Sequence, residues 1–194
     1  MYALVTDGTI TKYFNTPKGF TLGDLQYPAD IFTKWSVAEK EAIGIYEIVF
    51  DNSNFKDEKW YINTNKSFAF ADGTVTSTYG TATAKAHADI TETINGVETT
   101  TFGLKTQLIK NLKINVANEL TKTDWYITRN AEKSTAIPSS ISTHRDAVRT
   151  KQASMETAIT NTSNTLALET LHTYTEQSDG TVTRPLGELP VLEI

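Results

Sequence analysis

Three histidines are the first residues to weigh, because imidazole is the side chain that ordinarily trades a proton near neutral pH. His87 lies in an Ala/Lys/Thr stretch, His144 falls on an apolar stripe, and His172 opens the C-terminal segment. No two sit at metal-ligand spacing, and none neighbours a Ser or Asp that would complete a nucleophilic pair, so all three read as structural or solvated. Asp51-Asn52-Ser53-Asn54-Phe55-Lys56-Asp57-Glu58 is rich in oxygen donors. A calcium loop of the EF type, however, needs an oxygen ligand and a glycine where this chain has Phe55 and Lys56, so a solvated inter-strand loop is expected. The remaining acids are scattered, with no pair marked out for glycoside hydrolysis. Walker, dinucleotide and GxSxG motifs are absent. The residues therefore nominate no catalytic group, no cofactor and no metal ligand, and a non-enzymatic role is expected.

Two clusters remain. Arg145 and Arg149 are four apart on one helix face, near Arg129 and beside Asp146; they read as a solvated face or as partners of Glu132. Trp35, Trp60 and Trp125, with eight Tyr and eight Phe, could be sugar platforms, but their place in or before apolar strands favours core.

The elements that would position these side chains follow from composition and period. The chain has 194 residues, a net charge of -5 and no cysteine, which excludes disulfides, thiolate metal sites and a cysteine nucleophile. No apolar run is long enough for a membrane span, and Met1-Tyr2-Ala3-Leu4-Val5 lacks the basic and apolar regions of a signal peptide. The acidic balance argues against nucleic acid as a partner. Thr is unusually frequent, at 33 residues, and favours strands and turns.

Asp7-Gly8, Asp72-Gly73 and Asn95-Gly96 each separate two β-prone runs and predict hairpins. Segment 15–34 reads as irregular loop, pinned to the sheet by Phe20, Tyr27 and Phe32. Ser36-Val37-Ala38-Glu39 is a capping box for a helix of about two turns that ends at Gly44. Strands are expected around Ile45–Phe50, Lys59–Ile62 and Ser67–Phe70.

From Gly103 the period becomes helical: Leu104, Leu108, Leu112, Val116 and Leu120 form one stripe, with Ile109 beside it, on a helix ending near Asp124. A polar loop should run from Ile127 to Pro138, and a second helix should start at Ser139 or Ser140 and end between 162 and 170. A last hairpin is expected about Ser178-Asp179-Gly180. The terminus, Leu186-Gly187-Glu188-Leu189-Pro190-Val191-Leu192-Glu193-Ile194, is apolar for a chain end and is expected to be buried against another chain. The fold class that results is α+β: a small antiparallel β domain with one short helix (1–101), an α-helical hairpin (102–170) and an extended C-terminal tail (171–194).

Leu120-Thr121-Lys122-Thr123-Asp124-Trp125-Tyr126-Ile127-Thr128-Arg129-Asn130-Ala131-Glu132, followed by Ile137-Pro138 and a helix bearing Arg145 and Arg149, resembles a corner found in tailed-bacteriophage tail proteins, tail-fibre assembly proteins and tail assembly chaperones. The opening Tyr2-Ala3-Leu4-Val5 strand and the Trp35-Ser36-Val37-Ala38-Glu39 to Gly44-Ile45-Tyr46 segment are similar to theirs. The tail after 171 departs from the shorter members, which stop after the helix.

The resemblance implies a virion structural protein of the tail, baseplate or fibre attachment, assembled in the host cytoplasm, with other tail proteins and further copies of itself as partners. The alternatives are a non-structural assembly chaperone and a host-glycan-binding module. The residues expected to matter are the corner Asp124, Trp125 and Arg129, and the assembly surface Leu186, Leu189, Val191, Leu192 and Ile194. Asp124 should accept backbone N–H bonds at the turn, and Trp125 should lock the two helices together.

Overall fold

The computed structural model describes residues 1–192 and divides into two compact units, Met1–Thr83 and Ala84–Ile194. In the first, β1 (Tyr2–Thr6) and β2 (Thr9–Phe14) form the expected hairpin, and β7 (Ser67–Ala71) and β8 (Thr74–Thr78) form a second. Both turns place two consecutive residues at positive φ: Asp7 at 50° and Gly8 at 76°, Asp72 at 49° and Gly73 at 72°. That is the backbone whose twist matches paired strands, which is why Asp-Gly carries the signal.

Between the hairpins lie β3 (Phe20–Leu22), β4 (Leu25–Tyr27), α1 (Ile31–Lys34), α2 (Val37–Glu41), β5 (Ile45–Asp51) and β6 (Tyr61–Ile62). The capping box forms as expected, Ser36 Oγ accepting from Glu39 N and the Glu39 carboxylate from Ser36 N. Segment 15–34, expected to be irregular, instead holds the β3–β4 hairpin and α1, both tied down by Phe20 and Phe32.

The principal sheet has the order β2-β1-β5-β8-β7 and is curled, so that Tyr13 of β2 and Phe68 of β7 bring their rings to 4.7 Å. It is not wholly antiparallel: β5 and β8 run parallel. β8 holds the inner place beside β5 and buries Val75 and Ser77, while its hairpin partner β7 lies at the edge and buries nothing fully.

β1 is buried on both faces. Ala3 and Val5 join Ile48 and Val75 on one side; Leu4 joins Phe14, Phe20, Ile31, Phe32 and Ile45 on the other. A register shift between Leu4 and Val5 lets β2 send Ile10 and Phe14 to opposite sides, although their even spacing would otherwise align them.

β9 (Thr83–Ala84) marks the boundary. The second unit carries the β10 (Ile90–Ile94) and β11 (Val97–Thr101) hairpin, then α3 (Leu104–Thr121), α4 (Asp124–Lys133), α5 (Ser139–Thr160), α6 (Thr165–His172) and the short pair β12 (Thr175–Glu176) and β13 (Val182–Thr183). Gly103 begins α3 where the backbone of Ala88 presses closest: a Cβ there would sit 2.3 Å from the Ala88 carbonyl. Leu112 and Val116 of α3 pack toward α5, which buries Ile141, Val148, Met155 and Ile159.

The expected fold class is thus corrected. The chain has six helices among the described residues and several sheets, about 35% helix and 27% strand, with a curled mixed five-stranded sheet in place of one small antiparallel domain. In place of a two-helix hairpin there are four helices. The polar loop expected after Ile127 is α4, which buries no residue fully. The second helix of the expected pair stops at Thr160, and Asn164 caps a separate α6 by accepting from Ala167 N at 2.9 Å.

Candidate functional site

The densest polar constellation lies where α3 ends, α4 begins and α5 passes beneath. Thr123 closes α3, its hydroxyl donating to Leu120 O at 2.9 Å, and it is only 1% exposed. Arg145 reaches this point from α5 and is 8% exposed. Its Nη1 donates to Leu120 O at 2.8 Å, Thr123 Oγ1 at 2.7 Å and Asp124 Oδ1 at 2.8 Å. Nη1 has two N–H groups, so the three acceptors share them. A guanidinium at the negative end of α3 and a carboxylate in the first turn of α4 both complement the helix dipoles. One side chain therefore ties three helices.

A second pair lies one turn back. Glu119 of α3 and His144 of α5 are both largely shielded and stand 3.3 Å apart, yet Glu119 Oε1 and His144 Nε2 are not aligned as a hydrogen bond. Lys122 bonds to the other Glu119 oxygen. That bond, aided by the Lys122 charge, holds the Glu119 carboxyl below its ordinary range against the opposing effect of burial.

Asp124 meets Arg145 rather than the backbone N–H groups expected of it. Trp125 is not the buried lock expected between the helices: it is 51% exposed, at the rim of a cavity beside the start of α5. Arg129, one turn on, lays its guanidinium 4.6 Å from the Trp125 ring and 5.5 Å from that of Tyr126. Of the other tryptophans, Trp60 is buried and Trp35 half-buried against Tyr27. Arg149 pairs with Asp146 on the surface, whereas Arg145, expected to be solvated or bound to Glu132, is the buried tie.

His87 Nε2 lies 3.0 Å from Thr162 Oγ1, whose own proton goes to Ile159 O, so Nε2 carries the hydrogen. Desolvation, with a smaller contribution from Lys105, keeps His87 below its ordinary pKa.

The tail lies on its own unit. Leu186 is buried and its N–H bonds to Leu171 O. Glu188 receives Arg184 through two nitrogens and the Tyr174 hydroxyl. Leu189 and Leu192 are half-buried and Val191 is exposed; Ile194 lies outside the described residues. Leu189, Pro190 and Val191 border a cavity of about 360 Å³ over Leu112, Glu119 and Met155. Leu192 borders another of about 220 Å³ with Trp125, Tyr126, Pro138 and Ile141.

Thr123 and Glu119 carry no signal in the sequence, while Arg145 and His144, expected to be a solvated or paired arginine and a structural or solvated histidine, are both buried here. Only the i,i+4 arginines hinted at the cluster. Among the described residues there is no group of three or more metal-capable side chains, and no helix is long and apolar enough to cross a membrane. No family model, curated protein or solved structure matches the chain.

Proposed function

We propose that the chain is a non-enzymatic structural protein of a bacteriophage tail, placed in the tail, baseplate or fibre attachment, that works by binding other tail proteins and copies of itself. The resemblance of the Thr123-Asp124-Trp125 corner to tail proteins motivates the reading. The observation that carries it is the β10–β11 ribbon.

All ten residues of that ribbon are exposed. Ile90, Ile94 and Val97 share one face, and the Thr91 and Thr100 hydroxyls meet on the other at 3.0 Å. A two-stranded ribbon alone is marginal in water, and its open edges offer unpaired backbone groups to another chain. A side chain set so arranged suits a joint between subunits better than a free surface.

Mass spectrometry of purified virions tests the reading. Stoichiometric presence of the chain supports it. Presence in infected cells but absence from virions would replace it with the assembly-chaperone reading.

A further inference from the structure

Hydrogen bonding divides the C-terminal segment into two parts. Up to Glu188 the segment is fastened: Leu186 is buried, and Arg184, Tyr174 and Glu188 form a closed set of charge-assisted bonds. Beyond it, among the described residues, Leu189, Pro190, Val191 and Leu192 make no hydrogen bond. They lie along the α3/α5 groove, beside Leu112 and Met155 on one side and Thr143, His144 and Ala147 on the other, with Val191 79% exposed. Open space remains beside them, about 360 Å³ toward α3 and about 470 Å³ toward α5. A strand held this way belongs to the low-stability end of a fold and can leave without unfolding the helices.

The groove is complementary to this segment, because the segment already occupies it. We propose that the α3/α5 groove is a receptor for an extended apolar segment, and that in the assembled protein it receives Leu189–Leu192 of a neighbouring copy in place of its own. This rests on the structural reading above. The contacts are the same whether the segment comes from the same chain or the next, so contact energy does not choose between them. Local concentration does: a lone chain is served by its own tail, and a ring or stack of copies brings foreign tails into reach. Exchange would then join subunits without any surface that exists only in the assembly.

The absence of cysteine permits a direct test. Val191→Cys and Ala147→Cys, both exposed and bordering the same cavity, are made singly and together in the full chain and treated with a short bismaleimide. The double variant at high dilution is expected to link within one chain. An equal mixture of the single variants at high concentration is expected to give a 191–147 covalent dimer several-fold above the 191–191 and 147–147 links, read by mass spectrometry of the joined peptides. The full-length Leu189→Asp/Leu192→Asp variant should abolish that dimer while keeping its circular dichroism.

Equal amounts of all three links in the mixture, or a dimer untouched by the aspartates, overturns the proposal. A chain found in virions whose tails stay internal would sink this inference alone. Exchanged tails in a chain absent from virions would sink the structural reading alone.

Discussion

Arg145 offers the sharpest test of how the second unit is held. Arg145→Ala removes the one nitrogen that serves Leu120 O, Thr123 Oγ1 and Asp124 Oδ1. The losses are unequal. Leu120 O keeps the Thr123 N–H at 3.0 Å and hydroxyl at 2.9 Å, so it is not orphaned. The Asp124 side chain is 54% exposed, so water replaces much of what it loses, and that bond is worth less than about 1 kcal/mol.

Thr123 Oγ1 is buried and loses the one donor it has among the described residues, a charge-assisted bond worth about 1.5–3 kcal/mol. The positive charge at the end of α3 adds a few tenths more. The expected destabilisation is therefore about 2–3 kcal/mol, or a fall in melting temperature of roughly 6–12 °C for a unit of this size. Urea unfolding followed by far-UV circular dichroism and tryptophan fluorescence measures it. Asp124→Asn should cost about 1 kcal/mol or less. Equal losses for the two variants, or an Arg145→Ala protein as stable as the parent, would refute the assignment of Arg145 as the buried tie.

Trp125→Ala should lower stability by only about 1 kcal/mol, because the ring is half in water and its main contact is the Arg129 guanidinium; a loss of several kcal/mol by denaturant titration would contradict the placement. Gly103→Ala should destabilise by about 2–4 kcal/mol, since the added Cβ meets Ala88 backbone that cannot yield; calorimetry checks it. His87 is held below its ordinary pKa, so the unfolded chain takes up its proton first as pH falls through 6.5, and stability drops from there; His87→Gln should flatten that part of a melting-temperature profile. Glu119 is a lowered carboxyl, so its contribution is present above the ordinary carboxylate range and lost as pH falls through its folded pKa; Glu119→Gln should remove that acid-side slope.

Local chemistry was readable in the chain. Asp7-Gly8, Asp72-Gly73 and Asn95-Gly96 form their turns, and Ser36 and Glu39 cap each other, because each signal is complete within four residues. The α3 stripe was readable because its period repeats within one element, and Leu104, Leu112 and Val116 of it are buried. What failed depended on distant partners. The parallel pairing of β5 with β8 joins strands more than twenty residues apart, and neither strand states its partner alone. Helix α4 buries no residue fully, and its polar run from Thr128 to Lys133 reads as a loop. Arg145 looked like a surface residue because its acceptors lie 21 to 25 positions away, at the end of another helix.

The measurement that reaches furthest is a cryo-EM reconstruction of the assembled phage tail. The account predicts density for this chain, repeated about the tail axis, with β10–β11 covered by a neighbouring subunit. A reconstruction in which other chains fill all the tail density, or in which this chain is present with the ribbon left bare, would contradict it.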